Sequence, residues 1–167
     1  MGSYLSVPVL LIVAALQASV VPQLRLLGGG PDLVFLAVLV WTIHAPLEES
    51  VTWAIIGGIF QDLLSVAPTG LSAVGLVLVV FLTYLISRQV YQVGLVLTLG
   101  MLLLGTLVQQ LTTLLLLWLT GYPIDWFNDF AYIVLPTMLY NLIFIGPVYW
   151  SIRRIQRRTS GRRLFFS

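Results

Sequence analysis

The stretch Gln89–Ile124, QVYQVGLVLTLGMLLLGTLVQQLTTLLLLWLTGYPI, contains no charged residue and decides the fold class. It exceeds the roughly 20 apolar residues that cross a hydrocarbon core of about 30 Å. The rest of the chain agrees with it. Of 167 residues, 59% are hydrophobic and 8% are charged, whereas a soluble domain carries about 45–50% apolar and about 25% charged residues. A small soluble particle buries too little of its surface to hide such a composition. The solvent is therefore lipid, and the chain reads as an all-α integral membrane protein.

Charge, proline and glycine mark the ends of the spans. Working outward, a fourth span covers Leu71–Ser87 and is closed by Arg88, and a third covers Ser50–Leu64 after the turn at Pro46, Glu48 and Glu49. The second, Leu33–Ala45, is short and follows a turn around Arg25 and Gly28–Asp32; the first covers Tyr4–Val21 and closes at Pro22. A fifth helix over Tyr91–Thr120 measures about 45 Å at 1.5 Å per residue, so it tilts or kinks. The sixth, Ala131–Ile152, is bent by Pro136 and Pro147. This predicts a six-transmembrane-helix domain over residues 1–152 and a basic tail over 153–167.

All eight basic residues are Arg, and six of them follow Ser151. Six spans put Arg88 with those six and leave Arg25 alone on the other face, which makes both termini cytoplasmic. Trp118, Tyr122, Trp126, Phe127 and Phe130 then form an aromatic belt around Asp125 and Asp129 on the outer side. The first span lacks the basic start and small-residue cleavage site of a signal peptide. Arg153, Arg154, Arg157, Arg158, Arg162 and Arg163 suit an anionic leaflet or a cytoplasmic partner, and a topological stop alone accounts for them. So local a charge gives nucleic-acid binding no support.

Polar residues inside spans are costly and therefore informative. Ser50, Ala54, Gly58 and Asp62 recur every four residues, which is one helical ridge. Small residues at that spacing admit a close neighbour, within the protein or from a partner. Asp62 either orients that seam, caps the Pro68-Thr69-Gly70 turn or pairs with Arg25. Thr106, Gln109, Gln110 and Thr113 form a polar stripe in the fifth span, with Asn141 in the sixth as a natural partner. The stripe faces other helices, a partner or a cavity. Ala14 and Ala18 form a further small-residue pair.

Catalysis has little to work with. There is no Cys and one His, and His44 has no acidic companion at ligand spacing. Gly70-Leu71-Ser72-Ala73 resembles the motif of intramembrane serine proteases, but Ser72 and His44 fall at opposite ends of their spans. An aspartyl protease needs a second intramembrane Asp, and Gly28-Gly29-Gly30 lacks the Lys-Ser/Thr of a phosphate loop. The reading is non-enzymatic, with no cofactor and no metal.

Pro31-Asp32-Leu33, Trp41, Ala45-Pro46 and Gly58-Ile59-Phe60-Gln61-Asp62-Leu63-Leu64-Ser65 followed by Pro68-Thr69-Gly70 resemble the family of the bacterial rod shape-determining protein MreD. The motif positions are Pro31, Asp32, Gly58, Asp62, Ser65 and Gly70, within a match over about Gly30–Gln92. Gly30 stands where a basic residue is usual, and Val66 where a Gly is common. The resemblance implies an inner-membrane component of the cell-elongation machinery. It would pair with the bitopic scaffold MreC and assist MreB filaments, RodA and its class B penicillin-binding transpeptidase. It also implies a six-helix fold similar to the substrate-binding subunits of energy-coupling-factor vitamin transporters. The alternative function is such a transporter subunit, binding ligand at the Thr106–Thr113 stripe and Asn141 and docking through Ala14 and Ala18.

Overall fold

A computed structural model describes residues 2–24, 29–65, 70–89 and 94–160. Among the described residues the fold is all-helical. Six principal helices follow the hydropathy pattern: α1 (Gly2–Leu24), α2 (Leu33–His44), α3 (Leu47–Leu63), α4 (Leu71–Gln89), α5 (Leu95–Leu119) and, after a single turn α6 (Trp126–Asp129), α7 (Leu135–Ser160). Four of them are long and apolar enough to cross a membrane: α1, α4, α5 and the continuous α6–α7 rod.

The six-helix count therefore stands, but length and composition do not make spans of α2 and α3. At 12 residues, α2 rises about 18 Å. α3 has 17 residues and carries Glu48 and Glu49 in its first turn, where carboxylates favour the positive helix end.

The core explains why α2 can be so short. Every residue from Val34 to Thr42 is buried, and α2 packs against α1, α3, α4, α5 and α7. It is the axis of the bundle. A helix apolar all round is one buried on all sides, here by protein on every face. Trp41 stacks on Trp53 with ring centroids 3.9 Å apart, and Phe35 fits the hollow at Gly105, where a Cβ would stand 3.1 Å from its ring. The lipid-facing apolar residues lie on the surrounding helices, Leu11, Ile12, Leu78, Leu85, Leu104 and Leu139 among them.

Several ends differ from the sequence expectation, each for a local reason. Pro22 lies inside α1, which runs on to Leu24. Pro46 caps α3, so that helix starts at Leu47, before Ser50. α5 begins at Leu95 after Gly94, and its 25 residues rise about 37 Å. Near Pro136 the backbone widens into a π-helical turn over Phe130–Val134, closed by the Leu135 N–H on the Phe130 carbonyl. Pro136 has no N–H, and its ring crowds the carbonyl four residues back. α7 then continues through Ser160, so Arg153, Arg154, Arg157 and Arg158 ride on a helix. Arg25, Pro68, Thr69, Arg162 and Arg163 lie outside the described residues.

Candidate functional site

Because α2 is only about half as long as α5, its N-terminus ends inside the bundle. The first N–H groups of any helix lack intrahelical partners, and in lipid no water satisfies them. Side chains from the surrounding helices take that role. Asp32 caps α2, its Oδ1 accepting from the Phe35 N–H at 3.0 Å. Gln17 of α1 accepts from the Val34 N–H at 2.9 Å. Asn141 of α7 accepts from the Asp32 N–H at 2.9 Å and donates to Thr106 Oγ1 of α5 at 3.1 Å. Gln61 of α3 donates to Asp32 Oδ2 at 3.0 Å. One node thus joins α1, α2, α3, α5 and α7. At the other end of α2, Gln156 donates to the Trp41 carbonyl at 3.2 Å.

The chain reaches this node through Gly29 and Gly30, pressed against the π-helical turn. A Cβ on Gly29 would stand 2.8 Å from the Ile133 carbonyl oxygen and 2.8 Å from Pro136 Cβ, so only glycine fits. Beside the node is a cavity of about 200 Å³, lined among others by Gln17, Asp32, Gln61, Gln110 and Thr137. Gln61 Oε1 is buried there without a hydrogen-bond partner. A polar space of this size suits ordered water, which needs two to four polar partners.

The second polar corner joins α3 to α4. Asp62 is 1% exposed and accepts from the Gly70 N–H at 2.7 Å and the Ser72 N–H at 3.1 Å. It therefore caps α4 across the loop. Gly70 has φ +105°, a conformation that L side chains disfavour. The Ser65 N–H and Oγ both donate to the Asp62 carbonyl, at 3.1 and 3.3 Å, where α3 ends. A Cβ on Gly58 would lie 2.3 Å from Ala73 Cα, so α3 and α4 touch backbone to backbone.

A family model for the rod shape-determining protein MreD matches residues 1–158. The chain belongs to that family. No curated protein and no solved structure matches the chain. The positions that carry the resemblance in the sequence fall at the two corners just described. Pro31 and Asp32 bring the chain into α2, while Gly58, Asp62, Ser65 and Gly70 build the α3–α4 junction.

The ridge of Ser50, Ala54, Gly58 and Asp62 is buried along its whole length within the chain. The stripe divides. Thr106 meets Asn141. Gln109 covers Gly75 of α4, where a Cβ would stand 2.5 Å from its Oε1. Thr113 donates to its own helix at the Gln109 carbonyl, 2.9 Å away. Gln110 alone turns to the cavity. The structure does not bring Asp62 together with the stripe. The sequence does not single out Gln17 and Gln61, although each is an amide in an otherwise apolar stretch, the one signal that marks them.

Proposed function

We propose that this chain is a non-enzymatic, inner-membrane subunit of the bacterial cell-elongation machinery. It pairs with an MreC-like single-span scaffold and through it helps to organise MreB filaments, RodA and its class B transpeptidase. Both termini face the cytoplasm in this reading, with Arg88 and the basic end of α7 on the inner side. The family match over residues 1–158 carries the proposal. The use of the intramembrane polar groups supports it, because Asp32, Asp62, Gln17 and Asn141 bond backbone at helix ends. They hold a scaffold in shape. Since the Ser50–Asp62 ridge is filled from within, the partner meets another face. The test is cell width in the protein's own host. Loss of the gene should round the cells and the wild-type copy should restore rods, whereas rods that persist without it overturn the proposal.

One observation favours a second reading, a substrate-binding subunit of an energy-coupling-factor vitamin transporter. Gln110 and Gln61 line a polar cavity into which a small ligand would fit. At about 200 Å³ that cavity is smaller than the ~300–1,000 Å³ of ordinary ligand sites, which ranks this reading second. A vitamin that raises the melting temperature of the purified protein, an effect lost in Gln110→Leu, would promote it.

A further inference from the structure

The end of α7 carries two parallel ladders at four-residue spacing, Ile145–Tyr149–Arg153–Arg157 and Gly146–Trp150–Arg154. Residues four apart stack on one helix face. Each ladder therefore passes along the helix from apolar or open, through aromatic, to cationic. That is the order of chemistry met on leaving the hydrocarbon of a leaflet for its headgroups. Two hollows follow the same order. The inner one, about 290 Å³, lies between α5 and α7 and is lined by Leu95, Thr98, Leu99, Ile145, Gly146 and Tyr149, with Arg153 at its rim. The outer one, about 440 Å³, is lined by Tyr149, Trp150, Arg153, Arg154 and Arg157. Tyr149 and Arg153 belong to both, so the hollows form one groove.

Two of the cations at its mouth are held on aromatic rings. Arg153 lies over the Tyr149 ring, its guanidinium carbon 5.5 Å from the centroid, and donates to the Tyr149 hydroxyl at 3.1 Å. Arg154 lies 5.1 Å over the Trp150 ring. A guanidinium stacked on a ring keeps N–H groups for a phosphate, which it can bind with two parallel hydrogen bonds. We propose that this groove is a binding site for one anionic phospholipid, its phosphate held by Arg153, Arg154 and Arg157 and an acyl chain lying over Gly146 between α5 and α7. An apolar channel beneath a cationic mouth complements an anionic amphiphile and not a free ion. The site is independent of the shape-determining reading.

Gly146 offers a clean test, because a Cβ there would meet nothing within 4 Å. Gly146→Leu would project a side chain from this open position into the channel. Titrations of the full-length protein in mild detergent, read by native mass spectrometry, would use dioleoylphosphatidylglycerol, dioleoylphosphatidylcholine and inorganic phosphate. Phosphatidylglycerol should bind at least tenfold tighter than phosphatidylcholine. Arg153→Gln and Arg157→Gln should each weaken it roughly fivefold, the equivalent of about 1 kcal/mol per arginine. Gly146→Leu should abolish retention with every arginine in place and with an unchanged melting temperature. Equal binding of the two lipids, displacement by inorganic phosphate, or full retention in Gly146→Leu would each overturn the proposal. The arginine variants, all at exposed positions, keep the test decisive if Gly146→Leu misfolds.

Discussion

At the scale of single residues, the costly polar groups of this membrane protein serve as helix caps. Gly58 and Asn141 give the sharpest tests. Gly58→Leu places a side chain where the Ala73 backbone already lies, and such overpacking costs roughly 1–3 kcal/mol. Unfolding of the purified variant in detergent should show that loss. Asn141→Leu strips the Asp32 N–H of its acceptor and Thr106 of its donor, and a buried group left unsatisfied costs about 1–3 kcal/mol. Thr113→Val, which loses a bond only to its own helix, should change stability far less. Equal stability of the Asn141 and Thr113 variants in the same unfolding assay would show that the node holds nothing together. Asp62 and Asn141 are legible from sequence, because a carboxylate or amide inside an apolar span is conspicuous. Gln17 and Gln61 are equally visible as amides, but what they do is not. Their roles depend on where α2 ends in depth, and no pattern within α1 or α3 encodes that.

Among the elements, α2 separates what hydropathy can and cannot tell. Its apolar run marks a helix and its flanking Pro and Asp mark the ends, so its place in the chain is readable. In a membrane, however, lipid-facing and protein-facing residues are equally apolar. The sequence therefore cannot distinguish a short span from an axis wrapped by five neighbours. The same blindness applies to the π-helical turn, which lies just before Pro136 and against Gly29 of a distant segment. The chain has no cysteine, so introduced thiols report on single positions. Val38→Cys, with Val38 fully buried, should resist a membrane-permeant maleimide in the folded protein. Leu119→Cys, with Leu119 64% exposed at the end of α5, should react. Comparable labelling rates at the two positions would remove α2 from the centre of the bundle.

For the whole molecule, the proposed orientation rests on the arginine distribution. A reporter fused after Ser167 should be active in the cytoplasm and one inserted near Asn128 should be active outside; the same side for both would contradict the proposed topology. The chain belongs to the MreD family, and the partner is inferred from that family. That pairing is the central claim, and affinity purification tests it most directly. The tagged, full-length protein, extracted from its own host in mild detergent, should co-purify with a single-span scaffold protein identified by mass spectrometry. Co-expression with that scaffold should also raise its melting temperature, because a partner that binds only the folded form stabilises it. Recovery of an ATPase and a transmembrane coupling subunit instead, with no scaffold, would contradict the account.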